Sequence, residues 1–314
     1  MKLNLECMFR KVRYMDNKIL ILSEGMHTSV QDLGRKGYRS YGVPIAGTMD
    51  KYSAILANKL LNNDEDLPVL EITMVGPKIM FEDHTLIVLT GADISPELNG
   101  EPIQMNLLYS VKTSDVLSFG KLNLGVRSYL GVKGGFLSEE VMGSRSQFNG
   151  ITMKDRAYKG DRIPIASYDS ELEVTSSKIK VKPSHFTTKK LEVTKGPEYN
   201  RLTKEHRDKL FSMKFKIDSL NNRMGYQLSN KFPPVKNNEI ITSITIPGTV
   251  QLTPAGKLIV MMRDCPTTGG YARILQLTDM AINQLAQKKE KETFKFDLES
   301  SFEFLDRLVS RFRE

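Results

Sequence analysis

The chain contains little cysteine and histidine and no long apolar run. Its 314 residues include only two cysteines, Cys7 and Cys265, which form neither a CxxC motif nor a disulfide framework. The four histidines are scattered without the spacing of metal ligands, so we expect no metal site. No apolar run approaches the ~18–20 residues of a membrane span, and the N-terminal stretch has no apolar core of signal-peptide length. We therefore expect a cytoplasmic protein that does not contact a membrane.

Several sequence motifs of enzymes are also missing. There is no GxxxxGK[ST] phosphate-binding loop and no GxGxxG that opens a helix after a strand. No GxSxG motif indicates a hydrolase triad. If the protein is an enzyme, its chemistry must come from polar residues on glycine-rich connections between strands.

The chain has an excess of positive charge, with a formal net charge of +8 and a pI of about 9.2. Its densest basic runs, "FTTKKLEVTK" and "LAQKKEKETFKF", look like strand ends and loops rather than a nucleic-acid-binding element, in which basic and aromatic residues alternate. We therefore expect no nucleic-acid partner. A basic surface does favour anionic ligands or an acidic partner subunit.

Short apolar runs separated by Gly, Asn and Asp follow one another from residue 69 to about 136, and they include an Asn99-Gly100 turn. This pattern predicts a mostly β protein with a few helices, arranged as a β-barrel or sandwich. One helix is expected over 51–61. A further strand is expected over 171–183, and apolar strands begin again near residue 190.

The polar segment "PSHFTTKK", residues 183–190, is the expected domain boundary. We predict an N-terminal extension over 1–16, one β domain over 17–186 and a second over 187–300. The tail 301–314 has apolar residues at helical spacing, which predicts a helix. That helix either docks on its own domain or contacts another subunit.

The stretch "YGVPIAGTMD", residues 41–50, is apolar, kinked by Gly and Pro, and closed by one carboxylate. Asp50 precedes the helix expected over 51–61, and Ser53 occupies the third helical position, so Asp50 is a good N-cap. Capping does not explain the kinked loop before it. A second role for Asp50 in a binding site therefore stays open, and Asn58, two turns along, faces either solvent or a pocket.

Other polar groups lie where loops contain glycine, and each has a plain structural alternative. Asp32 and Arg35 can form a local ion pair, Arg145 in "GSRS" can be an ordinary loop arginine, and "SLNNRMGYQL" needs only its Asn and Gly to form a turn. Arginine at such places also suits a carboxylate or phosphate. In "MMRDCPTTGGYARI", Thr-Thr-Gly-Gly is typical of a turn that a ligand can approach closely, while Cys265 has no local His and is a weak candidate nucleophile.

Taken together, these stretches resemble one family. "VQDLGRKGY", "GVPIAGTMD", "LEITMVGP", "GADI", "GSRS", "NNRMGY" and "TTGGY" occur in that order over about 20–285. They are similar to the biotin-dependent carboxyltransferase-related proteins, also described as allophanate hydrolase subunit 2, as Kip antagonist and as the C subunit of 5-oxoprolinase. The family usually has "GAMD" where this chain has "GTMD", and "GSRST" where it has "GSRSQ". The resemblance implies two cyclophilin-like β-barrel domains.

The resemblance also implies a function. Family members of this size pair with a subunit related to allophanate hydrolase subunit 1 or the Kip inhibitor. With a third, lactam-hydrolase subunit, the pair opens 5-oxoproline to glutamate at the expense of ATP, with Mg, bound by this chain or by the partner. A biotin-dependent carboxyltransferase acting on urea or another amide is a second interpretation, and a regulatory protein that binds a histidine-kinase inhibitor is a third.

Activation of a lactam by phosphorylation requires cations, oxyanion donors and an acceptor for the lactam N–H. On this hypothesis the catalytic residues are Asp50, Arg223 and Asp264. The expected substrate-binding residues are Gln31, Asp32, Arg35, Ser53, Asn58, Arg145, Ser146, Asn222, Thr267, Thr268, Gly269, Gly270 and Tyr271.

Overall fold

A computed structural model describes residues 17–168, 181–235 and 239–299. Most of the regular structure in these ranges is β, as the sequence predicts. The strands are β1 Lys18–Ser23, β2 His27–Gln31, β3 Val69–Thr73, β4 Lys78–Phe81, β5 Thr85–Asp93, β6 Pro96–Leu98, β7 Glu101–Pro102, β8 Leu108–Val111, β9 Val116–Phe119, β10 Leu124–Val132, β11 Arg162–Pro164, β12 Lys190–Lys195, β13 Phe215–Asn221, β14 Gly225–Leu228, β15 Glu239–Ile244, β16 Thr249–Leu252, β17 Leu258–Met261, β18 Thr268–Leu277 and β19 Thr293–Leu298. The α-helices are α1 Lys51–Leu60, α2 Ser184–Thr187, α3 Lys204–Ser212 and α4 Asp279–Ala286, and short 3-10 helices lie at Arg39–Tyr41 and Tyr199–Arg201.

The chain divides into two compact units. The first comprises Met1–Gly37 and Ile45–Lys182, and the second comprises Tyr38–Pro44 and Pro183–Glu314. The chain thus enters the second unit for seven residues and returns before completing the first. The expected extension over 1–16, most of the strand expected over 171–183 and the expected tail helix lie outside the described residues.

In the first unit, two antiparallel sheets share one apolar core. A six-stranded sheet has the order β11-β1-β4-β9-β6-β7, and a five-stranded sheet has the order β2-β3-β10-β5-β8. Ile19 and Ile21 of β1 alternate with less buried neighbours, which is the period-two pattern of a strand with one face in a core. They pack in the same cluster as Leu70 and Ile72 of the other sheet.

The register of the five-stranded sheet places four polar residues side by side. Glu71 lies opposite Ser29 on one side and opposite Tyr129 on the other, and Tyr129 lies opposite Thr90. Residues paired across antiparallel strands point to the same face of a sheet. Helix α1 packs against β10 and β5, so this polar row is enclosed within the first unit.

The second unit contains one eight-stranded sheet with the order β12-β19-β13-β14-β17-β16-β18-β15. Strand β12 also pairs with β18. The seven strands from β12 to β18 in this order therefore form a closed ring of pairings. All these pairs are antiparallel except β12 with β19. The assignment of either unit to the cyclophilin-like barrels stays a prediction.

Candidate functional site

Asp32 organises the "GSRS" segment of the first unit. Its Oδ1 accepts hydrogen bonds from the hydroxyls of Ser144 at 2.8 Å and Ser146 at 2.6 Å, and its Oδ2 accepts the Arg145 backbone N–H at 2.6 Å. The sharp turn before these residues has positive φ at Met142 and Gly143, as in a type I′ turn. One carboxylate therefore fixes three consecutive residues of a loop far away in sequence.

The kinked loop lies against the same region. Arg35 N–H donates to the carbonyl of Ile45 at 2.6 Å, and Thr48 N–H donates to that of Asp32 at 2.9 Å. A Cβ at Gly47, where φ is +86°, would lie 2.8 Å from the backbone nitrogen of Gly34, so the close approach of these two backbone segments requires glycine. The kink thus has a packing cause that does not depend on a ligand.

Arg35 is fully buried. Its guanidinium donates to the carbonyls of Val141 at 2.9 Å and Ser146 at 2.8 Å. Arg145 is more accessible, with 29% of its side chain exposed, and it pairs with Glu140 at 3.1 Å. Of these two candidate anion ligands, only Arg145 presents its side chain partly to solvent.

Asp50 caps α1 as the sequence predicts. Its carboxylate accepts the Ser53 N–H at 3.2 Å and the Ser53 hydroxyl at 2.6 Å, and the side chain is fully buried. A ligand role for Asp50 in addition to the cap stays a prediction.

Two further candidates of the first unit make internal contacts. Asn58 Nδ2 donates to the carbonyls of Glu65 and Leu67, at 3.2 and 2.7 Å, and so closes the turn after α1. Gln31 Nε2 donates to the Ser29 hydroxyl at 3.0 Å and to the Gln147 carbonyl at 3.0 Å. Gln147, which directly follows Ser146, also accepts the Val30 N–H through Oε1 at 2.9 Å.

A buried polar network behind Asp50 was not predicted from the sequence. The Tyr129 hydroxyl accepts the Asp50 N–H at 2.8 Å and donates to Glu71 Oε2 at 2.9 Å. The same Glu71 oxygen accepts the Met49 N–H at 2.7 Å, and Arg127 Nε lies 3.8 Å from Oε1. A glutamate inside the buried strand "VLEIT" was the available signal, because a buried carboxylate needs partners.

Burial raises the pKa of the Tyr129 phenol well above its ordinary value, and the neighbouring carboxylates of Glu71 and Asp50 raise it further. The phenol therefore stays protonated and donates to Glu71. The network holds the backbone of residues 49–50, which is where the kinked loop becomes α1.

In the second unit, Arg223 and Asp264 form a two-point ion pair. Arg223 Nε donates to Oδ2 at 2.7 Å and Nη2 to Oδ1 at 2.9 Å, with only 13% and 9% of the two side chains exposed. Asp264 N–H also donates to the Arg223 carbonyl at 2.9 Å. The structure thus brings together two of the three residues expected to be catalytic.

Asn222 shapes the hairpin turn between β13 and β14. Its Oδ1 accepts the backbone N–H groups of Met224 at 2.8 Å and Gly225 at 3.2 Å, as expected for Asn in a tight turn. A cleft of about 450 Å³ lies beside this turn.

The turn expected at Thr-Thr-Gly-Gly is wrong, because β18 begins at Thr268. Thr268 and Gly269 pair with Ile244 and Ser243 of β15. A Cβ at Gly269 would lie 2.6 Å from Gln251 Nε2, which donates to the Tyr271 carbonyl at 3.2 Å. Glycine at position 269 therefore leaves room for the buried amide of Gln251 to pack against β18. Thr267 precedes the strand, Gly270 continues it, and Tyr271 is 41% exposed.

Arg39 anchors the segment Tyr38–Pro44 within the second unit, and nothing in the sequence indicated this contact. Its Nη2 donates to the carbonyls of Thr245 and Thr267. Burial raises the pKa of the nearby Cys265 thiol to about 11, which the charge of Arg39 and a hydrogen bond from it partly oppose. A thiol with so high a pKa is a poor nucleophile at neutral pH, in agreement with the weak sequence case for Cys265.

No three His, Cys, Asp or Glu side chains come close enough to hold a metal ion within residues 17–168, 181–235 and 239–299. In the same ranges, none of the helices has the length and apolar character needed to cross a membrane.

This chain is similar over most of its length to proteins of known name and to solved structures. The C subunit of the 5-oxoprolinase of Escherichia coli (strain K12) is 32% identical over 85% of this chain and 86% of its own length. The crystal structure of the Kluyveromyces lactis urea amidolyase matches 93% of this chain with a TM-score of 0.81 and 29% identity, but the match spans only 20% of that protein. The crystal structure of TTHA0988 has the same fold, with a TM-score of 0.81 at 24% identity over 90% of this chain and 55% of that one.

The model of the family described as "Carboxyltransferase domain, subdomain A and B" matches residues 41–298. This range contains the Asp50 cap, the Tyr129 network and the Arg223–Asp264 pair. The chain belongs to the carboxyltransferase domain family.

Proposed function

We propose that this chain is the C subunit of an ATP-dependent 5-oxoprolinase, which opens the lactam of 5-oxoproline to glutamate. The observation that carries the proposal is the match to the C subunit of the Escherichia coli 5-oxoprolinase, which spans most of both chains. The proposed complex contains a partner related to allophanate hydrolase subunit 1 or the Kip inhibitor, and a lactam-hydrolase subunit. We place this complex in the cytoplasm.

ATP and its Mg are assigned to the partner subunit in this proposal. Arg35 donates to backbone carbonyls, Arg145 pairs with Glu140, and Arg223 is held at two points by Asp264. These contacts already use the three guanidinium groups that the sequence suggested for phosphoryl charge, and the described residues contain no acidic cluster for a metal ion. We therefore assign nucleotide binding to the partner rather than to this chain.

This chain contributes the surface that receives the lactam. The Arg223–Asp264 pair is buried enough to hold the turn at Asn222 in one geometry, and a rigid support is what positions polar groups around a reacting amide. The hydroxyls of Thr267 and Thr268 and nearby backbone N–H groups are the proposed donors to the developing oxyanion. Asp264 is the proposed acceptor for the lactam N–H.

The test is glutamate release from 5-oxoproline and ATP by the chain reconstituted with both other subunits. Arg223→Ala should lower kcat/KM by at least about 100-fold, the size typical for loss of a group that positions or stabilises the transition state. It should also lower the free energy of unfolding by about 3–5 kcal/mol, because Asp264 loses its partner while buried.

Arg273→Ala is the matched control. Arg273 also holds a carboxylate at two points, that of Glu198, at 3.0 and 2.9 Å in the same unit, with 19% and 12% of the side chains exposed. This variant should lose comparable stability yet keep its activity at a temperature where it is folded. Unchanged activity in Arg223→Ala would remove Arg223 from the site, and no glutamate from the wild-type complex would remove the proposed function.

A biotin-dependent carboxyltransferase is the second candidate. The likeness to the Kluyveromyces lactis urea amidolyase favours it, since that match reaches 29% identity. This chain would then need a biotin carboxylase and a biotin carrier in trans. Carboxylation of urea from bicarbonate and ATP with those two proteins added, in the absence of 5-oxoproline cleavage, would decide for this candidate.

A further inference from the structure

Strand β15 lies at the edge of the sheet of the second unit and is exposed on both faces. Among the described residues it pairs only with β18. Ile241 and Ile244 are 93% and 67% exposed, and Thr242 between them is also exposed. Since neighbouring residues of a strand point to opposite faces, no described element of the second unit covers either face of β15 at these positions.

The strand is held in place at its C-terminal end. Arg273 Nη1 donates to the carbonyl of Ile244 at 2.8 Å, and the Thr245 N–H donates to the Thr267 carbonyl at 3.1 Å. Arg39 also donates to the Thr245 carbonyl. The exposed side chains are therefore presented on an anchored strand, which lowers the conformational entropy lost when another surface binds them.

The composition of this edge favours pairing with a further strand. Residues 240–246, "IITSITI", are β-branched or serine and include no charge and no proline. Natural proteins protect exposed edge strands with lysine, proline or a bulge, and uncharged segments of about this length and composition are prone to pair with other strands. Of these protecting features, the described strand has only a register shift, between Glu239 and Ser243.

A second copy of this chain supplies the strand that fits this edge. A two-fold axis brings the same surface of both copies together, so two β15 strands lie antiparallel and each residue faces one from the same short stretch. Charges within the stretch would meet like charges, which destabilises strand pairs, but 240–246 carries none. A charged strand of another protein would lose the hydration of its charges without gaining a partner on this edge.

We propose that two copies of this chain associate through antiparallel pairing of their β15 strands. Each strand has six residues, which bury less than the ~800 Å² per partner of a standard interface, and the register shift limits the pairing further. A weak dimer is therefore expected, with a Kd of about 1–100 μM. This proposal does not depend on the proposed function.

Sedimentation equilibrium of the intact chain without its partners, over a range of protein and salt concentrations, tests the proposal. Each copy has a formal net charge of +8, so two copies repel each other over distances that salt screens. Because the paired strands are uncharged over 240–246, higher salt should strengthen the dimer. A dimer that weakens with salt would show a contact between charged patches instead, and would overturn the proposal.

Two substitutions locate the contact at β15. Ile241→Lys and Ile241→Glu change a side chain that is 93% exposed, so the monomer should stay folded, which urea denaturation checks. Each variant removes an apolar contact and brings like charges together across the two-fold axis, so each should weaken the dimer at least about tenfold. The control is Leu220→Lys, which adds the same charge at a side chain of β13 that is 63% exposed and should leave the Kd unchanged.

A wild-type chain that stays monomeric at every salt concentration, a dimer that both Ile241 variants leave unchanged, or equal weakening by Leu220→Lys would each overturn the proposal. One further result would do the same. If the chain alone is monomeric and Ile241→Lys weakens its binding to a purified subunit related to allophanate hydrolase subunit 1, the strand pairs with that partner and not with a second copy.

Discussion

Tyr129 joins two segments of the first unit through one hydroxyl group. It accepts from the backbone at Asp50 and donates to Glu71, and both contacts are fully buried. Loss of a buried hydrogen-bonding group costs more than the bond itself, since the partners left behind cannot return to water. The network is therefore expected to stabilise the start of α1 more than its few bonds suggest.

Tyr129→Phe should lower the free energy of unfolding by about 1–3 kcal/mol, because it leaves the Asp50 N–H and a Glu71 oxygen without this partner. Urea denaturation measures the change. Tyr109→Phe is the control, because the Tyr109 hydroxyl accepts only an exposed backbone N–H, that of Gln104, and its loss should cost less than about 1 kcal/mol. Equal losses in the two variants would contradict the role given to the network.

Cys265 makes stability depend on pH in the alkaline range. Its pKa rises from an ordinary value of 9.0 to about 11 in the folded protein. Since the unfolded thiol loses its proton first, this contribution to stability is complete below pH 9 and is lost as the pH rises towards 11, by about 2–3 kcal/mol in total. The free energy of unfolding should therefore fall more steeply between pH 8.5 and 10.5 in the wild type than in Cys265→Ala. If the free energy of unfolding falls equally steeply with pH in both proteins, burial does not raise the pKa of the Cys265 thiol.

Among the secondary-structure elements, helix α1 is the one whose N-cap, Asp50, is also a predicted catalytic residue. Asp50→Ala should cost about 0.5–2 kcal/mol, as should Thr278→Ala at the cap of α4, where Thr278 accepts the Ala281 N–H at 3.3 Å. Neither variant shows whether Asp50 also takes part in a reaction, because a loss of stability reports only on structural contacts such as the cap and the bond from the Ser53 hydroxyl.

Asp50→Asn separates the cap from a catalytic role. Asparagine caps a helix about as well as aspartate, so the free energy of unfolding should change by less than about 1 kcal/mol. If the carboxylate takes part in the proposed reaction, kcat of the reconstituted complex should fall at least about tenfold. A variant as active as the wild type would leave Asp50 with only its cap.

Turns were predictable where one or two residues decide the backbone. Asn99 and Gly100 both have positive φ and join β6 to β7, as an Asn-Gly pair predicts. The Thr-Thr-Gly-Gly segment was not predictable in this way, because its glycines serve the pairing of β18 with β15 and the approach of Gln251. Local sequence cannot distinguish a glycine that bends the chain from one that makes room for a neighbour.

The chain as a whole does not separate into two continuous pieces. The segment Tyr38–Pro44 belongs to the second unit, where Arg39 holds the carbonyls of Thr245 and Thr267. A fragment comprising residues 183–314 lacks this anchor and should therefore be less stable around the start of β18.

Hydrogen exchange of the 183–314 fragment, with and without a peptide of residues 38–44, tests this expectation. The peptide should increase protection at the Thr245 N–H, which donates to the Thr267 carbonyl at 3.1 Å. A peptide with Ala in place of Arg39 is the control. Full protection in the fragment alone would show that the segment is dispensable for the second unit.

The sequence by itself determined the mostly β class, the bounds of α1 to within one residue, its Asp50 cap and the family, because these depend on local periodicity, capping chemistry and the order of motifs. It also named Arg223 and Asp264, though not that they pair across 41 residues. Only the tertiary structure placed Glu71 beside Tyr129 and Arg39 against Thr267. Strand register decides which residues far apart in the chain share a face, and that register depends on packing that no short stretch of sequence contains.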